Sequence, residues 1–346
     1  MKGKKELLAD ILFGSKAVNL FKRLPRRNKL IVFNYHRIRP NESRFATAFD
    51  DGVYNLDCDE FSRQIKWLKN NTLILSENEL LDCYKNGTFI SPESRAPCVI
   101  ITFDDGYRDN YSLAYPIMKQ YGVPAFLFVA TQMIQSRKLA WWDIIAYLIK
   151  HCTKPFITVG GRQFSLAIPR KEVIAFFLQR MKQEPHEQTQ YLLTELSESC
   201  EVALPDALLQ DKEILTWEEL REMARHQIAI GSHSHSHRVM STIGIGEQKE
   251  EMVLSKQIIE ANIGRAVHSI SYPVGELRYI TAETFAIAES SGYLLGFTAN
   301  TGVNDWKGMQ PYGIKRMAGL LEKVSTVSLL TVLPELFTWD SATALK

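Results

Sequence analysis

Residues 99–103 form an unbroken run of β-branched and apolar residues that ends in Asp104-Asp105-Gly106. A run that is apolar on both faces is typical of a strand in a parallel sheet covered by helices on each side. Similar runs at 30–33 and 125–129 are separated from it by stretches with helical periodicity. This alternation predicts an α/β fold with parallel strand pairing.

One long stretch, residues 131–215, interrupts the alternation. It holds two adjacent tryptophans, a glycine pair that favours a hairpin near residue 160, and helical periodicity near 170–182 and 187–199. We interpret it as an insertion between successive units of a barrel. The predicted organisation is a basic amphipathic N-terminal segment, a barrel domain with this insertion, and a C-terminal amphipathic helix with a tail, at residues 1–28, 29–320 and 321–346.

Charge is uneven along the chain, although its formal total is only +2. Residues 1–29 hold nine Lys/Arg against two acidic residues, so the remainder is acidic. The total gives no electrostatic signature of a nucleic-acid-binding protein. The five cysteines are scattered and never spaced as Cys-x-x-Cys, so neither a disulfide framework nor a thiolate zinc site is predicted.

The N-terminal segment has apolar residues at helical spacing between Leu7 and Leu24, with lysines and arginines on the other face. Pro25 is the expected end of this helix. Two interpretations stay open: residues 1–24 contact an acidic membrane surface, or the helix packs on the main domain. No secretory signal and no apolar run of about 18–20 residues is visible, so we expect a cytoplasmic protein. If residues 1–24 contact a membrane, the protein would be peripheral on its inner face.

Two polar clusters follow predicted strands. Asp104 and Asp105 are adjacent, and their mutual repulsion calls for a cation or a positively charged side chain nearby. The cluster His233-Ser234-His235-Ser236-His237 holds two histidines four residues apart that, with one carboxylate, would form a metal site with open positions for water and substrate. Carboxyl ends of parallel barrel strands meet on one face, which favours this pairing over two idle polar turns.

Several motifs together resemble the polysaccharide deacetylases, the NodB-homology carbohydrate esterases. Thr102-Phe103-Asp104-Asp105-Gly106 and the histidine cluster resemble the first two motifs of that family. Three further segments resemble other parts of the family pattern. Asn34-Tyr35-His36-Arg37 resembles its start, and Leu215-Thr216-Trp217-Glu218-Glu219-Leu220 resembles the helix before its histidine motif. Ser271-Tyr272-Pro273-Val274-Gly275 resembles its third motif. The resemblance extends from about residue 29 to about residue 316. It implies a distorted (β/α)7 TIM-like barrel with a helical insertion.

The resemblance also implies a site and a reaction. A divalent metal, usually zinc with cobalt or nickel as alternatives, would be held by Asp105, His233 and His237. Asp104 would be the general base for a metal-bound water, and the backbone N–H of Val274 would contact the oxyanion. The implied enzyme is a hydrolase of non-peptide carbon–nitrogen bonds. Its carbohydrate substrate would be an N-acetylated amino sugar in a surface polysaccharide or in its lipid-linked precursor.

The sequence departs from the family pattern at three places. The third motif usually carries an arginine that pairs with the base, and Ser271 stands there instead. Arg316 is a candidate replacement from a later strand, the alternative being a solvated basic residue. Val274 replaces the usual aromatic residue, which removes a sugar-stacking surface but keeps the backbone N–H. The late histidine that supplies the general acid is absent, because no histidine follows His268.

In a biofilm-polysaccharide branch of the family the N-terminal Tyr-His segment supplies that histidine. His36 is therefore the expected general acid, the alternative being a histidine that only supports the site or the core. His235 lies between the two expected ligands and is predicted to point away. Trp141 and Trp142 could stack on a sugar, although paired tryptophans inside an insertion more often form its own small core.

Two other functions are weighed against the deacetylase. A catalytically weak or inactive glycan-binding pseudo-deacetylase is motivated by the missing third-motif arginine and the missing late histidine. A magnesium-dependent phosphate hydrolase built on Asp104 and Asp105 is disfavoured, because magnesium prefers oxygen ligands and two histidines are expected beside the acids.

Overall fold

The computed structural model describes residues 2–15, 29–41, 47–86, 96–318 and 321–336. In this part of the chain the strands are β1 (Lys29–Tyr35), β2 (Arg37–Arg39), β3 (Tyr54–Asp57), β4 (Leu73–Ile74), β5 (Cys98–Phe103), β6 (Ala125–Val129), β7 (Phe156–Val159), β8 (Arg162–Ser165), β9 (Ile228–Ser232), β10 (Ser269–Ser271), β11 (Leu295–Phe297) and β12 (Asn304–Asp305). The α-helices are α1 (Lys2–Gly14), α2 (Cys58–Asn71), α3 (Glu77–Asn86), α4 (Tyr115–Tyr121), α5 (Thr131–Ser136), α6 (Trp141–His151), α7 (Arg170–Met181), α8 (His186–Cys200), α9 (Ala207–Glu213), α10 (Trp217–Arg225), α11 (Ile245–Ile263), α12 (Ala282–Ser290) and α13 (Val324–Val332).

The main sheet is curled and mostly parallel. Its strands run in the order β11-β10-β9-β6-β5-β1, with β4 beside β5 and with β12 antiparallel to β1. The segment 314–317 bridges β11 and β1, because Ile314 pairs with β11 and Met317 pairs with β1, both in parallel. All six residues of β5 are buried, as its apolar sequence predicts. The predicted fold class, a distorted (β/α)7 barrel, is confirmed.

Local signals explain where several helices begin and end. Thr216 and Glu219 form a reciprocal capping box at the start of α10. Asp57 accepts the backbone N–H of Glu60 and so caps α2. Gly122, at φ 61°, ends α4 in the left-handed conformation that glycine adopts without strain. These helices agree with the periodicity of the sequence.

Two expectations about local structure are wrong. The sequence of residues 38–56 shows no clear period and so predicts a loop, but their described positions include most of β2, a 3₁₀ turn and most of β3, and β2 pairs with β3 in parallel. Strands of three and four residues are too short to show a period. The C-terminal helix α13 is not amphipathic, because every residue from 325 to 332 is buried. It packs against both α1 and α2, so it has no solvent face.

The N-terminal helix α1 packs on the main domain over its described length. Ala9 is buried, and Asp10 pairs with Lys323 at 2.9 Å. Leu7, Leu8 and Ile11 remain exposed on the same helix. The expected end at Pro25 lies outside the described residues. None of the described helices combines the length and the apolar character needed to cross a membrane.

The insertion has a hydrophobic cluster of its own. Side chains from α6, α7, α8 and the antiparallel β7–β8 hairpin form a buried group that is separate from the barrel core. The hairpin turns at Gly160 and Gly161, both at positive φ, as the glycine pair predicts. The barrel core lies around β1, β5 and β6 and the helices that cover them. The insertion is therefore a small packed unit set beside the barrel.

Candidate active site

A cleft of about 520 Å³ opens where the barrel strands end. Asp104 and Asp105 enter it directly after β5, and His233 follows β9. His36 reaches it from the end of β1, and Arg316 reaches it from the segment that bridges β11 and β1. The insertion supplies one wall through α6 and α7. The parallel topology thus brings together polar residues that are far apart in the sequence.

Asp105, His233 and His237 form a buried cluster. Nε2 of each histidine lies 3.4 Å from Oδ1 of Asp105, and one ligand atom from each residue falls within 4.8 Å of the others. Ligand atoms about 2.0–2.1 Å from a tetrahedral zinc ion lie about 3.3–3.4 Å from one another. The two Asp105–histidine separations match that spacing. The residues present therefore fit a divalent metal held by two imidazoles and one carboxylate.

The electrostatics of Asp105 and His237 also suit a metal. Burial lowers the pKa of His233, but the charge of Asp104 and the hydrogen bond to Asp105 raise it above its ordinary value. Burial raises the pKa of Asp105, but hydrogen bonds from His233 and His237 outweigh it and leave the pKa below its ordinary value. Burial, together with the charge of His233, lowers the pKa of His237, which favours the neutral imidazole that binds metals. Nδ1 of His233 donates to the backbone oxygen of Ser271 at 2.7 Å, which directs Nε2 towards Asp105.

Asp104 is paired with Arg316 in a buried, two-pronged contact. Nη1 donates to Oδ1 and Nη2 to Oδ2, each at 2.8 Å, and both side chains are almost fully buried. Burial alone raises the pKa of Asp104, but the charge of Arg316 and then that of His233 lower it to about 2. Asp104 is therefore ionised at neutral pH and held in one orientation.

The position of Arg316 rules out the solvated basic residue that was its alternative interpretation, since only 1% of it is exposed. Its Nη2 also donates to Oγ of Ser271 at 2.9 Å, so the Arg316 guanidinium lies beside position 271, where the family pattern has an arginine. Nε donates to the backbone oxygen of Thr298 at 2.8 Å. A small residue at position 271 leaves room for an arginine from elsewhere in the chain.

Three turns at the site have unusual backbone conformations. Asp105, His237 and Val274 have φ of 77°, 56° and 61°, in a region that residues other than glycine rarely occupy. For the β-branched Val274 this conformation carries a strain of order 1–3 kcal/mol. Val274 lines the cleft, and its backbone N–H has no hydrogen-bond partner within the described part of the chain. That N–H is available to a ligand.

The remaining histidines take different places. Nε2 of His36 lies 3.9 Å from Oδ2 of Asp104, and 29% of the His36 side chain is exposed. The backbone oxygen of His36 accepts from Asn110 at 2.7 Å, which holds the end of β1. Nδ1 of His235 instead contacts Oγ1 of Thr131 at 2.8 Å, and His235 does not line the cleft.

The two tryptophans of the insertion do not form a separate core, contrary to the favoured expectation. Trp141 and Trp142 both line the cleft and meet edge to face with ring centroids 5.3 Å apart. The indole of Trp142 lies against the ring of His237 at 4.5 Å between centroids. The insertion therefore contributes aromatic surface next to the proposed metal ligands.

Two polar residues that sequence reasoning missed also support the site. Asn34, within β1, donates to Asp104 at 3.2 Å and accepts from Arg316 at 2.9 Å. Asp143 is fully buried at the start of α6 and accepts the hydroxyl of Tyr107 at 2.6 Å. Each is a lone polar residue inside an apolar run, at 30–35 and 141–149, and that contrast is the signal that could have found it.

Comparisons with known proteins agree with this geometry. The polysaccharide deacetylase family model matches residues 91–153 and 167–296. The gap falls inside the insertion, between α6 and α7. The matched ranges include four of the residues that meet in the cleft, which are Asp104, Asp105, His233 and His237.

Two curated relatives carry deacetylase names. The chain is 27% identical over 277 residues to the Bacillus subtilis protein YxkH, which is assigned by name to the polysaccharide deacetylases, covering 79% of this chain and 66% of that protein. It is 31% identical over 128 residues to the Staphylococcus aureus poly-β-1,6-N-acetyl-D-glucosamine N-deacetylase, covering 35% of this chain and 42% of that enzyme. The matches thus span less than two thirds of each relative.

Solved structures share the fold. The Streptococcus pyogenes deacetylase PplD, solved in complex with acetate, superposes with a TM-score of 0.58 at 19% identity, over 88% of this chain and 99% of that one. IcaB from Ammonifex degensii superposes with a TM-score of 0.54 at 17% identity, over 88% and 97% of the two chains. The family is one of hydrolases that act on non-peptide carbon–nitrogen bonds, the class that the sequence predicts. Because its family model covers more than half of the sequence, this chain belongs to the polysaccharide deacetylase family.

Proposed function

We propose that this protein is a metal-dependent deacetylase that removes the N-acetyl group from an amino sugar of a surface polysaccharide or of its lipid-linked precursor. The observation that carries the proposal is the arrangement of two buried groups on one cleft. Asp105, His233 and His237 form a set suited to a metal ion, and the Asp104–Arg316 pair lines the same cleft. The named relatives from Bacillus subtilis and Staphylococcus aureus support the reaction class.

In this proposal each residue has a definite task. Asp105, His233 and His237 hold the metal, with zinc the first candidate. When bound, it polarises the amide carbonyl and lowers the pKa of the attacking water. Asp104, kept ionised and oriented by Arg316, accepts a proton from that water. The free N–H of Val274 stabilises the negative charge that develops on the carbonyl oxygen.

His36 is our candidate for the general acid that protonates the leaving amine. Its imidazole lies at the cleft surface, 3.9 Å from Asp104. The described part of the chain places no other histidine on the cleft except the two proposed ligands. We expect the pH–rate profile to lose its basic limb in His36→Ala, and an unchanged profile would exclude this role.

The insertion wall bears on the identity of the substrate. Residues Lys171, Ile174, Ala175 and Leu178 lie on one face of α7, and Lys182 continues that line after the helix ends. This wall is apolar in the middle and basic at both ends, which suits a substrate with an apolar part and a negatively charged group. It supports the lipid-linked precursor as one form of the substrate.

The proposal is tested by metal analysis and by two substitutions. The purified protein is expected to hold about one zinc, cobalt or nickel ion per chain. Asp104→Asn should keep the metal and lose roughly 10²–10⁴-fold in turnover of N-acetylated β-1,6-linked glucosamine oligosaccharides. His233→Ala should lose both. Asp82→Asn, an exposed acid on α3, is the matched control and should behave like wild type. Wild-type turnover in Asp104→Asn would exclude Asp104 as the base.

The pseudo-deacetylase alternative is not favoured. Its motivation was the missing third-motif arginine and the missing late histidine. Arg316 pairs with Asp104 from another segment, and His36 lies on the cleft, so each missing residue has a candidate replacement. A metal-free protein that binds glycan tightly without releasing amine would restore this alternative.

For location we propose a cytoplasmic protein that rests on the inner membrane face through residues 1–24. The exposed Leu7, Leu8 and Ile11 of α1 and the net basic charge of residues 1–29 support this contact. Flotation with anionic liposomes, with and without residues 1–24, is the test. Equal flotation of both forms would refute it.

A further inference from the structure

The two proposed histidine ligands are held in different ways. His233 has an oriented ring, because its Nδ1 donates to the backbone oxygen of Ser271 at 2.7 Å. Nδ1 of His237 is buried and has no hydrogen-bond partner among the residues that the structure describes. A ligating histidine ordinarily bonds an acceptor through its second ring nitrogen, which fixes the ring orientation. With Nε2 committed to a metal ion, the described residues would offer no side-chain hydrogen bond to orient the His237 ring.

The indole of Trp142 lies against the His237 ring. Their centroids are 4.5 Å apart and their planes are inclined at 54°. Only 7% of Trp142 is exposed, so the indole has little freedom to leave this position. Van der Waals contact with a fixed aromatic ring can restrict the rotation of an imidazole that lacks a polar anchor.

Two short hydrogen bonds fix the indole. Nε1–H of Trp142 donates to Oη of Tyr107 at 2.6 Å, and the Tyr107 hydroxyl donates to Oδ2 of Asp143 at 2.6 Å. Asp143 is fully buried, and its Oδ1 accepts the backbone N–H of Asp50 at 3.0 Å. The three side chains form a continuous polar chain beneath the cleft.

The Tyr107 ring is also held from its face. The Arg37 guanidinium lies 4.2 Å from the ring centroid, and Arg37 itself pairs with Asp109 at 2.7 Å. Tyr107 comes directly after the Asp104-Asp105-Gly106 turn, whereas Trp142 and Asp143 belong to α6 of the insertion. The chain of contacts therefore connects the insertion to the turn that carries Asp105.

We propose that Trp142, Tyr107 and Asp143 are positioning residues that hold His237 in the orientation needed to bind the metal ion. This inference rests on the proposed metal site. It gives the insertion a part in metal binding, in addition to its place in the wall of the cleft. Cutting the polar chain at Tyr107 releases the indole and so weakens the metal complex without removing a ligand.

Tyr107→Phe is the most direct test, because it removes one hydroxyl and with it both hydrogen bonds of the chain. Zinc dissociation constants are measured on the full-length apo protein by competition with a chromophoric chelator, and the absorption spectrum is recorded with cobalt. We expect zinc affinity to fall 10–100-fold and the cobalt bands to shift. Tyr191→Phe, on the exposed face of α8, is the control and should leave both measurements unchanged.

Trp142→Phe provides a second measurement that does not depend on the folding of the first variant. It keeps an aromatic ring against His237 but lacks the N–H donor, and it should also weaken zinc binding. Wild-type zinc affinity in either natively folded variant overturns the proposal, as does a change confined to KM for the glycan. A wild-type protein that binds no metal refutes the proposed function itself, and that result is distinct from a defect found only in the variants.

Discussion

Arg316→Met removes the positive charge that accompanies Asp104 in the barrel. The pair is buried and two-pronged, with both contacts at 2.8 Å, and Arg316 also bonds Thr298, Asn34 and Ser271. Methionine fills part of the volume but leaves a buried carboxylate whose remaining side-chain donor is Asn34. Removing one partner of a buried ion pair destabilises a folded protein by about 3–5 kcal/mol, and we expect the free energy of unfolding to fall by that amount.

The measurement is urea unfolding at neutral pH, followed by tryptophan fluorescence. Arg63→Met is the control, because Arg63 is 58% exposed and its ion pair with Glu60 lies on the surface of α2. We expect that variant to lose less than about 1 kcal/mol. In the double variant Asp104→Asn/Arg316→Met the loss should be smaller than the sum of the single losses by roughly 1–3 kcal/mol, since the stranded charge is gone.

Additive losses in that double-mutant cycle would refute this account of the pair, and so would an Arg316→Met variant as stable as Arg63→Met. Turnover gives an independent reading. Because Arg316 orients the proposed base, Arg316→Lys should keep most of the stability but lose turnover, since an ammonium group cannot make the two parallel contacts.

Three further predictions follow from features of the cleft. Val274→Gly should raise the free energy of unfolding by up to about 1 kcal/mol, because glycine adopts the positive φ of this position without strain. Turnover should be kept, because the backbone N–H remains. Lost turnover would show that the valine side chain is needed. Burial raises the pKa of Asp143 to about 6 despite the opposing charge of Arg37. The folded state therefore holds that proton more tightly than the unfolded state. As the pH rises from 4 to 7, the free energy of unfolding of wild type relative to Asp143→Asn should fall by up to about 3 kcal/mol. Urea midpoints measured across this pH range test this. His233→Ala should abolish stoichiometric metal in elemental analysis, whereas His235→Ala, away from the cleft, should retain it.

Sequence patterns predict the strands that are buried and the residues that follow them. The apolar runs that become β1, β5 and β6 are long enough to show their character, and the parallel topology then brings their carboxyl ends together. Asp104, Asp105, His233 and His237 could be placed on one cleft for this reason. Their roles stay predictions, although their geometry suits them.

The contacts that depend on irregular segments or on tertiary packing are either left between alternatives by the sequence or predicted wrongly from it. Arg316 lies in a segment that joins the sheet through isolated bridges, so no periodicity marks it as buried. Helix α13 has no polar face because α1 and α2 cover it, and packing of that kind is a tertiary property. Trp142 faces the cleft because Tyr107, more than thirty residues earlier, accepts its N–H.

The long separation of Arg316 from Asp104 along the sequence affects how the protein is made. Asp104 and its partner are 212 residues apart in the sequence. At about 5–20 residues per second, a ribosome needs roughly 10–40 s to synthesise that interval. Until then Asp104 lacks the guanidinium with which it pairs in the folded protein, and burying the carboxylate without that partner would be costly. The cleft therefore takes its final form only after the segment that carries Arg316 has emerged, and until then the partly built sheet has an open edge that chaperones can recognise.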